Sequence, residues 1–460
     1  MSKNYFALLG ITLIAFVSFL EYTVVNTALP TLQNTFHVSI LNLQWVFNIY
    51  SIVVAIFMIV SGRIGDIYGR RLVFYLGALL LALGSLGAGL SNNFWELIFF
   101  RGVQSLGVAA TVTLGSGLVT QIFQGKAHYP MAFYACLTGV GLAIGPFLGG
   151  VIVMHWGWRW IFYINIPLLI IAFAFCLPCL PESKAEKRTP IDVGGTILLA
   201  ITLVSLIYGL IHGAQVGWTD PLTLILGLIF IIALPLLIKV ENRQEYPIMN
   251  FNFFTKPNFL LAALACMMGG VLVSPSLLFS PLLLQNVLDY SPRDAGLILL
   301  TIPIAVVLFS PFIGNLVAKI GAKNTLFIAL LVGFISALLH LIFAYYTVVA
   351  IALFAFFLVG LAWALNNVAA AISASSAVEH HQASVAIGTV YAMWNTSAAI
   401  MVAVTAVLFQ WVSTSHQTAG AAIAFLAGFK AVFIFVSVAM IVLIGIGLVA
   451  VLTSHPNKST

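Results

Sequence analysis

The amino-acid sequence predicts an all-α membrane protein with fourteen transmembrane helices, arranged as two six-helix bundles with two helices inserted between them. Composition is the first observation, because 62% of the 460 residues are hydrophobic and only 7% are charged, whereas soluble domains carry about 25% charged residues. The second observation is that the apolar runs are about 20 residues long, the length a helix needs to cross ~30 Å of hydrocarbon. They do not alternate apolar and polar residues as the strands of a membrane β-barrel do.

The order of the apolar runs defines the predicted domains. A charged segment at 181–190 follows the sixth run, and a polar stretch at 239–258 follows the eighth. These breaks predict an N-terminal six-helix bundle (1–180), a linker with two additional helices (181–258) and a C-terminal six-helix bundle (259–460). The predicted spans are 6–28, 44–63, 72–92, 95–121, 131–154, 160–180, 193–213, 221–240, 259–283, 294–317, 324–344, 346–375, 385–411 and 426–453.

The distribution of charge predicts the orientation. With both termini on one side, that side holds 14 of the 18 Lys and Arg residues. Cytoplasmic loops carry an excess of these residues, so we expect both termini in the cytoplasm, and the short tails favour a multi-pass protein of a bacterial inner membrane. The basic residues form no aromatic-interleaved patch, so nucleic acid is not an expected partner. Cys176 and Cys179 lack a second ligand pair, and no metal site is expected.

A short internal repeat follows the second and tenth predicted spans. SGRIGDIYGRR (61–71) and IGNLVAKIGAK (313–323) share two glycines seven residues apart and a basic end, although Ala318 replaces Asp66 in the second copy. Glycines permit close approach and tight reversals, and many secondary transporters are built from repeated halves. The candidate gating residues in the first copy are Gly62, Asp66, Gly69, Arg70 and Arg71.

The first copy of this repeat resembles the signature loop between the second and third helices of the major facilitator superfamily. The segment Arg101–Gly107 is similar to the R-x-x-Q-G-x-G pattern of the fourth helix in that family, with Ser105 in place of a glycine. The pattern G-x-x-x-G-P-x-x-G-G at 141–150 matches the fifth-helix segment typical of its antiporters. These resemblances imply the major facilitator fold.

Further segments resemble the fourteen-helix drug:proton antiporter branch of the family. FLEYTVVNTALP (19–30) is similar to the first-helix segment of that branch, whose acidic residue is usually Asp and is Glu21 here. WRWIFYINIP (158–167) and GWTD (217–220) also resemble that branch. The resemblance implies a proton-coupled exporter of amphipathic drugs.

Glu21 is the candidate proton carrier. A carboxylate inside a membrane helix costs ~2.5–3.5 kcal/mol and usually faces a cavity or a partner, and burial favours its neutral, protonated form. At helical rise Glu21 lies ~13 Å below Pro30, and Arg101 lies ~9 Å into the fourth span from the same side. We therefore expect the two to meet, with Arg101 favouring the ionised carboxylate. The alternative is a fixed ion pair that only locks two helices together.

Small residues recur in the fifth span at Gly141, Gly145, Gly149 and Gly150, next to Pro146. Such a face suits close helix packing, and the proline loosens the local backbone. The functional interpretation is that this face supports the rocking of one half against the other and prevents a proton leak. Simple helix association is the alternative.

Aromatic and amide side chains within the spans are candidates for substrate binding, because flat aromatic faces suit hydrophobic and cationic ligands. Interface anchoring or packing is the alternative for each of them. Span thirteen carries no carboxylate, which makes dicationic substrates less expected. The candidates are Tyr22, Asn26, Asn48, Tyr50, Gln104, Tyr134, Trp363, Asn366, Asn367, Tyr391, Trp394 and Asn395.

Motifs of catalysis and nucleotide binding are absent from the sequence, which has no Walker loop, no H-E-x-x-H and no G-x-S-x-G. We therefore expect no cofactor and an ion gradient as the energy source, and the resemblance implies a secondary transporter that exports amphipathic drugs. The same fold as an exporter of one metabolite or siderophore is an alternative, and a membrane sensor or enzyme is an alternative of another class. Expected partners are the substrate, protons and the bilayer. We expect a monomer, and delivery to an outer-membrane export system is left open.

Overall fold

The structure is a computed structural model, and it confirms the all-α membrane class. Its described part contains no strand and holds 13 helices long and apolar enough to cross a membrane. A shorter apolar stretch, Trp160–Cys176, occupies the place of the sixth predicted span. The predicted linker 181–190 lies outside the described residues, which are 3–123, 128–180, 192–244, 247, 251–378 and 383–453.

The first half of the chain contains long apolar helices joined by short connections. A 3₁₀ segment, Val25–Ala28, separates the first two helices. The helices are α1 (Lys3–Val24), α2 (Leu29–Phe36), α3 (Ile40–Leu43), α4 (Trp45–Tyr68), α5 (Arg70–Leu90), α6 (Phe94–Ile122), α7 (His128–Trp156), α8 (Trp160–Tyr163) and α9 (Asn165–Cys176).

The second half begins with the inserted hairpin and continues with another set of long helices. A π-helical segment, Gly269–Val273, lies between α12 and α13, and 3₁₀ segments occupy Phe251–Thr255 and Gln417–Ala419. The helices are α10 (Val193–Val216), α11 (Pro221–Glu241), α12 (Pro257–Met268), α13 (Ser274–Asn286), α14 (Pro292–Leu299), α15 (Thr301–Ile320), α16 (Ala322–Tyr346), α17 (Val349–Ser376), α18 (Ala383–Ser415) and α19 (Ala421–Thr453).

The chain divides into two compact units. The first unit comprises Met1–Thr196 and Ser280–Pro303, and the second comprises Ile197–Phe279 and Ile304–Thr460. In the first unit α1 is central and packs against α6, α7 and α9. In the second unit α12 packs against α16, α17, α18 and α19. The inserted helix α11 thus groups with the second unit and α14 with the first, and the three-part domain division made from the sequence stays a prediction.

The internal repeat has the same local structure in both copies. Gly69 has φ 111° and immediately precedes α5, and Gly321 has φ 83° and immediately precedes α16. Glycine adopts positive φ without the steric cost that a Cβ brings. The conserved spacing within the repeat therefore places a glycine-dependent reversal at the end of a long helix in each unit.

Two membrane helices are interrupted near their middle. The stretch from α1 to α2 changes to 3₁₀ geometry at Val25–Ala28, and the stretch from α12 to α13 changes to π geometry at Gly269–Val273. Such interruptions occur frequently at functional sites and at the binding sites of transporters. Glu21 lies one helical turn before the first interruption.

Candidate functional site: a buried polar ring around Glu21

A buried ion pair joins α1 to α6. Glu21 is 0% exposed and Arg101 is 1% exposed, and Arg101 Nη1 lies 2.8 Å from Glu21 Oε2. Removing two charges from water is costly unless each finds a partner. The structure therefore brings together the two residues expected to meet, and their part in proton transport stays a prediction.

Three further side chains complete a closed set of hydrogen bonds, which we call the polar ring: Glu21, Ser85, Arg101, Gln104 and Asn165. Arg101 Nη1 also donates to Gln104 Oε1 at 2.6 Å, and Gln104 Nε2 donates to Ser85 Oγ at 2.8 Å. Asn165 Nδ2 donates to Ser85 Oγ at 3.1 Å and also to Glu21 Oε1. All five residues are buried. Four helices, α1, α5, α6 and α9, thus contribute to one network.

Aromatic rings surround the guanidinium group of Arg101. Its Cζ atom lies 5.1 Å from the ring centroid of Tyr50 and 5.9 Å from that of Phe162. The rings of Tyr22 and Tyr50 are 5.7 Å apart, and the Tyr50 hydroxyl donates to the Ser18 carbonyl at 3.4 Å. Cation–π attraction of this kind is strongest where water is excluded. Two aromatic candidates of the first unit, Tyr22 and Tyr50, therefore lie beside the polar ring.

Two predicted amides of the first unit are buried without partners. The side-chain nitrogen and oxygen of both Asn26 and Asn48 have no hydrogen-bond partner among the described residues, and both residues are 0% exposed. Buried polar groups normally find a partner in protein or water. Tyr134 lies elsewhere, because its hydroxyl is near Gly115 of α6 and not at the polar ring. Gln104, a candidate for substrate binding, is hydrogen-bonded within the ring, and its role in binding stays a prediction.

The glycines of α7 form a close contact with the helix that carries Glu21. A Cβ built at Gly141, Gly145 or Gly149 would overlap atoms of α1 or of the 3₁₀ segment after it. Thr23 of α1 donates its hydroxyl to the Leu142 carbonyl at 3.0 Å across this contact. The predicted face of small residues therefore packs against the stretch from Phe16 to Thr27, which includes Glu21.

The same face of α7 also contacts α14. A Cβ at Gly150 would overlap the Pro292 carbonyl, and a Cβ at Gly296 would overlap the Pro146 carbonyl. Each helix thus offers a glycine to the backbone of the other, and this reciprocal contact allows a short separation.

The candidate gating loop lies at the junction of α4 and α5. Arg70 begins α5, and the Arg71 Cζ atom lies 5.8 Å from the ring centroid of Tyr75. A Cβ at Gly62 would meet a methyl group of α6 at 3.4 Å, an ordinary contact. The side chain of Asp66 lies outside the described part of the structure.

Candidate residues of the second unit cluster on α17 and α18 beside the π-helical segment 269–273. The rings of Trp363 and Trp394 are 4.7 Å apart, and Trp394 packs against the first glycine of the segment. Asn366 is 0% exposed and contacts Cys266 Sγ at 3.8 Å.

Tyr391 connects the remaining candidates of this unit. Its hydroxyl donates to the Asn367 carbonyl at 3.3 Å, and Asn395 Nδ2 donates to the Tyr391 carbonyl at 3.2 Å. Within the described residues no group of three or more His, Cys, Asp or Glu side chains is placed to hold a metal ion.

Sequence reasoning did not single out Asn165 or Ser85 as site residues. Asn165 lies within the quoted segment 158–167, where an amide in an apolar run is a detectable signal. Ser85 lies in a helix rich in small residues and carries no comparable signal.

Comparison with known proteins identifies the family. The family model described as Major Facilitator Superfamily matches residues 11–403 and 259–460. The chain belongs to the major facilitator superfamily. This major facilitator protein is a membrane transporter and not an enzyme, so the predicted fold and transporter function are confirmed and the sensor or enzyme alternative is excluded.

Relatives of this major facilitator protein carry transporter and resistance names. Multidrug resistance protein Stp of Mycobacterium tuberculosis (strain CDC 1551 / Oshkosh) is 33% identical over 405 residues, which cover 87% of this chain and 75% of that protein. Riboflavin transporter RibZ of Clostridioides difficile (strain 630) is 32% identical over 336 residues, which cover 71% of each chain. The crystal structure of a bacterial homolog of the human lysosomal transporter Spinster, inward-facing and unoccupied, has a TM-score of 0.72 at 14% identity, over 98% of this chain and 97% of that chain. That likeness supports the fold alone.

Proposed function

We propose that this transporter exports amphipathic, drug-like molecules in exchange for protons by alternating access. The observation that carries the proposal is the fully buried carboxylate of Glu21 in the first membrane helix, paired with Arg101. Ionisable residues inside membrane helices commonly belong to ion or proton pathways. The relative named for multidrug resistance supports the substrate class.

The chemistry of the pair suggests how proton binding drives a conformational change. The ionised carboxylate attracts Arg101 strongly because little water screens them. A proton on Glu21 neutralises one partner and leaves the buried arginine without its counter-charge, which disfavours the conformation that buries both. Each charge that crosses 100 mV supplies ~2.3 kcal/mol, and a proton gradient is the energy source in this scheme.

The aromatic part of the proposed substrate site in the first unit, Tyr22 and Tyr50, lies beside the polar ring. Tyr22 and Tyr50 offer aromatic faces, and Asn26 and Asn48 offer side-chain amides that have no hydrogen-bond partner within the described part of the chain. In the second unit the tryptophan pair of α17 and α18 offers a second aromatic surface. This combination suits ligands that are largely apolar and carry a few polar groups.

The moving parts and the cellular setting are also part of the proposal. The glycine face of α7 and the loop 61–71 serve as gating elements between 1–180 and 259–460. The protein works as a monomer in the inner membrane with both termini in the cytoplasm, and an outer-membrane export system is an additional candidate partner.

Proteoliposomes test proton coupling. The purified transporter is reconstituted into liposomes that contain a pH-sensitive dye. A candidate drug is then added, and the dye signal reports the resulting proton flux. We expect substrate-dependent proton flux with the wild-type protein and none with Glu21→Gln, while Thr12→Val on the same helix retains it. Full proton flux in Glu21→Gln would refute the proposal.

A dedicated exporter of one metabolite is the second candidate, because one relative is named as a riboflavin transporter. A deletion strain separates the two. Increased susceptibility across a panel of unrelated drugs supports drug export, and loss of secretion of a single compound with unchanged susceptibility supports the metabolite exporter.

A further inference from the structure

The hydroxyl of Ser85 fixes the direction of every hydrogen bond in the polar ring. It lies 2.7 Å from the Leu81 carbonyl, which can only accept, so the single hydroxyl proton is committed there. Ser85 Oγ must then accept from both amides, and Gln104 and Asn165 must direct their NH₂ groups towards it. The amide orientations therefore follow from hydrogen-bond valence.

With these orientations both ring contacts of the Glu21 carboxyl group are hydrogen bonds that its oxygens accept. Oε2 accepts from Arg101, and Oε1 accepts from Asn165. Arg101 has no acceptor atom at all, and the Gln104 oxygen already receives an N–H from Arg101 on one of its two lone pairs. An added proton on either carboxyl oxygen of Glu21 would therefore point towards the N–H donor that already occupies that oxygen.

One acceptor of the ring remains unclaimed. Asn165 Oδ1 is buried and has no hydrogen-bond partner among the described residues. A half-turn of the carboxamide about its Cβ–Cγ bond exchanges Nδ2 and Oδ1, which differ little in size. After that turn Oδ1 stands where Nδ2 stood, within reach of both Glu21 and Ser85.

We infer that Asn165 is a positioning residue whose carboxamide turns over with the protonation of Glu21, donating N–H to the carboxylate and accepting the O–H of the acid. This inference rests on the proposed role of Glu21. In the protonated state the Ser85 hydroxyl also rotates, from the Leu81 carbonyl towards Asn165 Oδ1, so that two acceptor oxygens do not face each other.

Other groups that bear on Glu21 are few. Among the described residues, Arg101 on α6 is the charged group beside Glu21, and Tyr50 on α4 and Tyr22 on α1 carry the nearby titratable hydroxyls. Helix α7 presents glycines to this part of α1. The thiol of Cys176 on α9 lies against the early part of α1, ~16 Å away at helical rise.

Loss of the amide should shift the protonation midpoint of Glu21 upward. Hydrogen bonds to a charged group are about twice as strong as neutral ones, so removing Asn165 costs the carboxylate more than the acid. We expect Asn165→Leu to raise the midpoint by about one pH unit. Ser85→Ala, which removes the atom that orients the amide, should shift it in the same direction, and Thr12→Val should not.

Infrared difference spectroscopy of the purified full-length protein in lipid nanodiscs tests the inference. The acid C=O band missing in Glu21→Gln reports the protonation of Glu21, and the amide band missing in Asn165→Leu reports the carboxamide. We expect the amide band to change over the same pH range as the acid band. An amide band that stays constant, or an unchanged midpoint in both Asn165→Leu and Ser85→Ala, overturns the inference.

This test separates the inference from the proposed function. If Glu21→Gln keeps substrate-driven proton flux, the proposed function fails. If Glu21→Gln loses the flux but the Asn165 band does not follow the protonation of Glu21, only the inference fails. Monodisperse elution of each variant on size-exclusion chromatography establishes that it is folded. If Asn165→Leu does not fold, Asn165→Ala replaces it in the same measurements.

Discussion

The contact between α7 and α1 allows a prediction about stability in which the structure supplies its own control. Gly145 and Gly139 lie in the same helix. A Cβ at Gly145 would lie 2.9 Å from Thr23 Cβ and 3.0 Å from Val24 N, and closer still to the Thr23 hydroxyl. A Cβ at Gly139 would meet nothing within 4 Å. Both positions are equally helical, and only one lies in a tight contact.

The two substitutions Gly145→Ala and Gly139→Ala should therefore change stability in opposite directions. Replacing glycine by alanine within a helix gains roughly 0.5–1 kcal/mol in either position. Overpacking at Gly145 costs roughly 1–3 kcal/mol, because backbone atoms near the new methyl group cannot move aside. The gain in helix propensity cancels in the comparison, so Gly145→Ala should be less stable than Gly139→Ala by about 1–3 kcal/mol.

The assay is reversible unfolding of the purified protein in mixed micelles with increasing SDS, followed by tryptophan fluorescence. The SDS content at which half of the protein is unfolded should be lower for Gly145→Ala than for the wild type, and slightly higher for Gly139→Ala. Equal midpoints for the two variants would show that the α1–α7 contact is not as close as described.

Two further substitutions test local features with the same unfolding assay. Gly69→Ala should destabilise the protein by about 1–2 kcal/mol because φ is 111° at this position. The control Gly62→Ala in the preceding helix should be neutral or slightly stabilising, and the reverse order of stabilities would contradict the described turn. Asp220→Ala should lower the free energy of unfolding by about 1 kcal/mol, because the Asp220 carboxylate accepts from Leu222 N at 2.9 Å and caps α11. Asp220→Asn should retain most of that stability. In Asp220→Ala, backbone amides in the first turn of α11 should also exchange hydrogen faster.

The helices and the Glu21–Arg101 contact could be predicted from the sequence because they depend on position along single helices. Hydropathy locates each span, and helical rise converts sequence position into depth. Two charged groups at similar depth in one bundle have strong reason to pair. The glycine spacing likewise predicts a smooth face on α7, without further information about the fold.

The polar ring could not be predicted in the same way. Ser85 and Asn165 are separated by 80 residues and meet because α5 and α9 are rotated so that the two side chains face each other. Hydropathy carries little information about rotation when helices are apolar on all sides. Packing between segments that are distant in sequence also decides which helix contacts the glycine face of α7. The same holds for the positions of the 3₁₀ and π interruptions.

The most direct test of the central claim, that Glu21 carries the transported proton, is proton release from the purified transporter on drug addition in weakly buffered detergent solution. The wild-type protein should acidify the solution as drug binds, and the effect should vanish in Glu21→Gln even though that variant still binds the drug. Equal acidification by both proteins would contradict the account, since another group would then have to supply the proton.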